Sequence, residues 1–165
     1  MRTDKGLYEG LLKTAEDLLN ANSHRPNEAH LRRAVSSVYY ALFHYLAQLC
    51  ADSFIGTQGA KNRSKPAWQQ VYRSLNHGTA KVSCELAGRK RFPLEIQDFA
   101  VLFAEYQTKR HDADYNPYAN APSSHLTKET VLNMIQRAKT VITNMDNAAI
   151  RDRKAFAAFV LFKNR

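Results

Sequence analysis

The chain has 165 residues, with 24 Lys and Arg against 15 Asp and Glu, six His and a net charge of +9. Hydrophobic residues at 44%, with only six Gly and five Pro, exclude disordered, collagen-like and low-complexity chains, and the length suits one domain whose core needs no disulfide or metal staple. No apolar run approaches the ~18 residues of a membrane span, the N-terminal stretch lacks an apolar signal core, and Cys50 and Cys84 fit no metal or redox spacing; a cytoplasmic protein with reduced thiols and no membrane association is expected.

Five helical segments follow one another along the chain. The first spans about 5–21, where Leu7, Leu11, Leu12, Ala15, Leu18 and Leu19 recur at helical spacing before Asn20, Asn22, Ser23 and Pro26 break the pattern. The second spans about 27–52, and its apolar set, from Leu31 to Leu49, is too wide for one exposed face, which places this helix at the centre. A basic loop with Lys61, Arg63 and Lys65 leads to a third helix over about 67–75, and Asn76-His77-Gly78 reads as its stop. A short amphipathic piece over about 81–87 follows. The fourth helix starts after Pro93 and carries Ile96, Phe99, Ala100, Phe103 and Tyr106 to about residue 114. Thr127 to Thr130 can cap a fifth over about 127–149, which either continues toward Phe162 or bends near Asp152. No stretch alternates with period two for long enough to make a strand. The expected class is an all-α bundle with antiparallel neighbours, one domain over residues 1–165 with its core at about 5–149 and a C-terminal helical extension at 150–165.

The positive charge is unevenly spread. Residues 1–60 are neutral, 61–100 carry +5, 101–126 carry −1 and 127–165 carry +5. Such blocks draw polyanions without fixing a partner. The basic run Arg151-Asp152-Arg153-Lys154, with Lys163 and Arg165, reads either as a nucleic-acid contact or as charge that complements a helix end, and Phe156, Phe159, Val160 and Phe162 mark the same tail as one that packs. Trp68, Tyr72, Phe99, Phe103 and Tyr106 read as core rather than as base-stacking platforms.

Several chemistries are excluded by pattern. There is no Glu-x-x-His or His-x-x-x-His pair for a metal, no phosphate-cradling glycine loop and no nucleophile elbow, so no cofactor or metal is expected. Two stretches stand out. On the second helix Arg33, Ser37, Tyr40 and His44 draw a polar line along an otherwise apolar helix, either as satisfied groups at a helix contact or as supports of a polar pocket. At the end of the fourth, Arg110, His111, Asp114 and Tyr115 gather before Pro117, where Arg can hold a phosphate and His or Tyr can donate or move protons. His77, before Gly78, reads as a helix-end residue that a dimer could bring to the same place.

These two stretches, LRRAVSSVYYALFHYLA (31–47) and RHDADYNP (110–117), resemble the HEPN superfamily in order and in helical position, the second as an R-x-x-ADY-x-P variant. The resemblance implies a four- to five-helix up-and-down bundle, usually a homodimer. It also implies binding of nucleotide, RNA or a protein partner, in a bacterial defence or toxin–antitoxin setting with a nucleotidyltransferase-like antitoxin. Active members of the superfamily are metal-independent endoribonucleases with an R-x(4–6)-H motif whose residues meet across the dimer. Arg110 matches the motif's arginine and His111 its polar neighbour, while Tyr115, Asn116 and Pro117 occupy the places open to its histidine. A catalytic version therefore needs another proton carrier: His111 at the same helix end, or His44 or His77 from elsewhere.

Overall fold

The computed structural model describes residues 6–89, 92–118 and 126–162. Among these the fold is all-α, with eight helices and no strand: α1 (Leu7–Leu19), α2 (Ala21–His24), α3 (Glu28–Ile55), α4 (Lys65–Ser74), α5 (His77–Ala87), α6 (Leu94–Tyr115), α7 (Lys128–Asn147) and α8 (Ile150–Leu161). The expected four- to five-helix up-and-down bundle is therefore incorrect. Three helices account for the difference, and each has a local cause.

The first is α2, a single turn in which Asn22, Ser23 and His24 take left-handed dihedrals; short polar side chains tolerate that region, and the turn redirects the chain after α1. The second is α5, which begins at His77 rather than in the low eighties. Asn76 is not a stop for the preceding helix but the N-cap of the next, its side chain accepting from the Gly78 and Thr79 N–H groups at 2.9 and 3.2 Å. The third is α8, separated from α7 by an extended Ala148–Ala149 step with ψ of 153° and 136°.

α3 is the axis of the molecule, and α1, α4, α6, α7 and α8 all pack against it. Its start is fixed by a capping box in which the Asn27 side chain accepts from His30 N–H and His30 Nδ1 accepts from Asn27 N–H. Its end falls at Gly56, whose φ of +106° suits a residue without a side chain. Tyr39, Leu42 and Leu46 of α3 interlock with Phe99 and Phe103 of α6, Ile135 and Met145 of α7 and Phe156 of α8 in one fully buried cluster. Truncating any of these aromatic rings to Ala costs about 3–5 kcal/mol by the usual measure of core cavities. α8 is thus part of the core: Phe156 packs edge-on against Phe99 and Phe92, while Phe162 lies exposed against Phe54.

The aromatic stripe divides. Phe99, Phe103 and Tyr106 are fully buried, as expected of core, but Trp68 and Tyr72 of α4 are only half-buried and stack on each other at 5.0 Å. The Arg63 guanidinium lies 5.0 Å from the Trp68 ring and donates to Gly56 O at 2.9 Å, so one cation of the basic loop is tied to the fold.

Candidate functional site

Arg32 determines where the end of α6 lies. Its Nη1 donates to Ala113 O at 2.9 Å and Asn116 O at 2.7 Å, its Nη2 to Pro117 O at 3.3 Å and its Nε to Glu28 at 2.8 Å. A helix leaves its last carbonyls without partners, and a fixed guanidinium satisfies them while complementing the negative end of the helix dipole. Arg32 thereby pins the segment that carries Arg110 and Asp114 against the first turns of α3. It was not among the residues singled out from the sequence, where its neighbour Arg33 was; Arg33 is exposed.

The four residues expected to act together at the end of α6 separate into two faces. Arg110 and Asp114, one turn apart, turn inward: their side chains are 13% and 16% exposed and form a long ion pair of 3.5 Å. Asp114 also accepts a hydrogen bond from buried Ser36 on α3. His111 and Tyr115 lie about 100° further around the helix and are exposed, their rings 5.0 Å apart. The expected use of His111 beside Arg110 therefore finds no shared cleft within the chain.

The histidine that does approach Arg110 is His77. The Arg110 guanidinium carbon lies 5.3 Å from the Tyr39 ring and 5.8 Å from the Tyr40 ring, its Nε is enclosed, and among the described residues no hydrogen bond reaches that atom. The Tyr39 hydroxyl shares a 2.7 Å hydrogen bond with His77 Nδ1, and the His77 ring stacks on Phe43 at 3.9 Å with its edge toward Tyr40. Burial lowers the His77 pKa below its ordinary value, and the charges of Arg110 and His44 lower it further, so the ring is neutral at pH 7. Burial raises the Tyr39 pKa, against a smaller opposing pull from Arg110, and the phenol keeps its proton.

The polar line on α3 extends this arrangement. Ser37 is half-buried, Tyr40 is half-buried beside Arg110, and one turn on His44 shares a 2.6 Å hydrogen bond with Tyr72 of α4, its own pKa lowered by burial. Tyr40, His44 and His77 thus join one run of half-buried rings that reaches Arg110.

Elsewhere the expected features fare differently. Arg151 is exposed and pairs with Asp152 at 3.5 Å, Arg153 and Lys154 line a separate cavity, and the other two tail cations, Lys163 and Arg165, lie outside the described residues, as do Lys90, Arg91 and His125. Both thiols are buried, Cys50 pushed up to about 12 and Cys84 raised further, which leaves them protonated. Among the described residues no group of three His, Cys, Asp or Glu side chains could hold a metal ion, and no helix is long and apolar enough to cross a membrane. A groove of about 540 Å³ between α6 and α7 is lined in part by Glu105, Lys109, Glu129 and Arg137 and by neither Arg110 nor His77.

The Arg110 centre is therefore one cation, held by two aromatic rings and one distant carboxylate, beside a neutral imidazole. It offers a guanidinium to an oxyanion and a proton acceptor next to it. No protein-family model matches the chain, and no curated protein or solved structure shows significant similarity to it.

Proposed function

We propose that this chain is a HEPN-like helical protein that binds the phosphate of an RNA or nucleotide through Arg110, working as a homodimer in a bacterial defence or toxin–antitoxin setting with a nucleotidyltransferase-like antitoxin. The observation that carries the reading is the state of Arg110: a mostly enclosed guanidinium whose Nε has no hydrogen-bond partner among the described residues and whose ion pair to Asp114 is long, at 3.5 Å. Among the described residues its Nη groups form no hydrogen bond either, and they can meet an arriving phosphate in the planar geometry that arginine prefers. The charge of +9 aids the approach of a polyanion.

A second reading, metal-independent cleavage of RNA, is favoured by one specific feature: the neutral His77 beside Arg110. In that reaction His77, in the tautomer whose Nδ1–H donates to the Tyr39 hydroxyl, accepts the 2′-hydroxyl proton at Nε2 as that oxygen bonds to phosphorus. Arg110 stabilises the charge on the phosphorus oxygens, and the bond from phosphorus to the 5′-oxygen breaks as that oxygen takes a proton from water.

Fluorescence anisotropy of a labelled single-stranded RNA at several salt concentrations tests the binding. Wild type is expected to bind with an affinity that falls with salt, and Arg110→Gln to bind at least about tenfold more weakly, with a salt slope smaller by about 1. Equal affinity in the two proteins contradicts the reading. Incubation of the same RNA in EDTA, followed on a gel, tests the second: cutting by wild type that His77→Gln loses while still binding supports it, and intact RNA rejects it.

A further inference from the structure

On the other side of α3, and independent of the Arg110 reading, a cavity of about 210 Å³ is walled by α1, α3, the end of α7 and the start of α8. It brings together opposite charges that do not neutralise one another. Asp52 and Asp146 line it, and so do Arg153 and Lys154, yet among the described residues Arg153 forms no ion pair within 4.0 Å. Arg153 is only partly exposed, and its enclosed Nε has no hydrogen-bond partner among the described residues.

The two carboxylates are held in place. Tyr45 donates to Asp146 Oδ1 at 2.7 Å, and Trp68 Nε1 donates to Asp52 Oδ1 at 2.8 Å, which leaves the second oxygen of each for another donor. Tyr8 stands edge-on to Tyr45 at 5.2 Å, and Ile150 adds an apolar wall. Burial, the hydrogen bond to Asp146 and that carboxylate's charge raise the Tyr45 pKa, so its hydroxyl stays a donor.

From this arrangement we infer that the cavity binds a small zwitterion of the amino-acid type, its carboxylate held by Arg153 and its ammonium by Asp52 and Asp146. The charges select against simpler ligands: a lone anion meets two carboxylates, and a lone cation meets Arg153 and Lys154. A bare metal ion is disfavoured because no three ligating side chains converge among the described residues. Size points the same way, since the cavity is smaller than the ~300–1,000 Å³ typical of sites for drug-sized molecules. A ligand carboxylate would give the Arg153 guanidinium the counter-charge that it lacks among the described residues, and the ordered carboxylates would receive the ammonium without reorganising.

Isothermal titration calorimetry of the full chain with the standard L-amino acids, one at a time, tests this. At least one is expected to bind saturably, and its C-terminal amide and its N-acetyl derivative are each expected to bind at least about tenfold more weakly. Arg153→Gln is expected to reduce the affinity by a similar factor. No saturable heat with any amino acid at up to ~10 mM, or affinity that survives both amidation and acetylation, overturns the proposal. The two derivatives act on the wild-type protein, so the outcome stands even if the variant loses helicity. The readout uses free amino acids and no RNA, so this site and the Arg110 reading fail separately.

Discussion

Arg32 and Arg110 flank the same helix end and differ in nearly every respect that decides what an arginine does. Arg32 spends its fork on three backbone carbonyls and Glu28. Arg110 rests on two tyrosine rings, pairs with one carboxylate at 3.5 Å and keeps an Nε with no partner among the described residues. A saturated guanidinium has nothing left to give a ligand, and its removal strands the acceptors that it served. An unsaturated one contributes little to the fold and much to a phosphate. The polarity of the two residues is identical; the count of partners separates a scaffold arginine from one with donors left for a ligand.

Of the two arginines, Arg32 is therefore expected to have the larger effect on stability. Arg32→Ala leaves the carbonyls of Ala113, Asn116 and Pro117 without their charged donor and should lower the unfolding free energy by about 2–4 kcal/mol, measured by urea denaturation. Arg110→Gln should cost no more than about 1 kcal/mol in the same assay, the value of a cation–π contact and a long ion pair. If the two losses come out equal, the contrast between the residues fails.

Ser36→Ala sharpens the comparison from the Asp114 side. It removes a donor to that carboxylate and should cost about 1 kcal/mol, while leaving Asp114 free to draw closer to Arg110 and weaken RNA binding. A smaller effect is expected from pH. His77 and His44 both have pKa values lowered in the fold, so the unfolded chain binds more protons than the folded one between the folded value and about 6.5, the ordinary histidine value. Their contribution to stability is complete above that window and is lost as the pH falls through it. His77→Gln should flatten the fall seen in denaturation curves between about pH 7 and pH 5; an unchanged slope would show that the ring titrates as it does in water.

Much of the fold could be read from the residues, and the failures have physical causes. The central position of α3 was visible because its apolar residues surround the helix, and its fourteen buried residues bear out that geometry. The break between α7 and α8 was hard to see because Ala148 and Ala149 carry no turn chemistry; two good helix formers take an extended step there, and Phe156 and Val160 beyond it are buried in the core. Asn76-His77-Gly78 misled because Asn before a helix and Gly after one are both boundary residues, and which neighbour they serve depends on the path of the chain. Trp68 and Tyr72 share the helical spacing of Phe103 and Tyr106, but spacing reports which face is apolar and not how deeply it lies.

The site was legible in part. Arg110, Asp114, Tyr40, His44 and His77 stand along one connected group, whereas His111 and Tyr115 point to solvent, a separation that follows from 100° per residue once the inward face is known. Adjacent in sequence, Arg32 and Arg33 looked alike, and only the packing of α6 against α3 shows which of them has carbonyls within reach.

The most direct test of the central claim is to follow the Nε–H signals of Arg110 and Arg32 together by NMR while a short single-stranded RNA is titrated into the protein. The Arg110 signal is expected to shift progressively and saturate with the bound fraction while the Arg32 signal stays in place. An Arg110 signal that does not move at saturating RNA, or an Arg32 signal that moves in its stead, would contradict it.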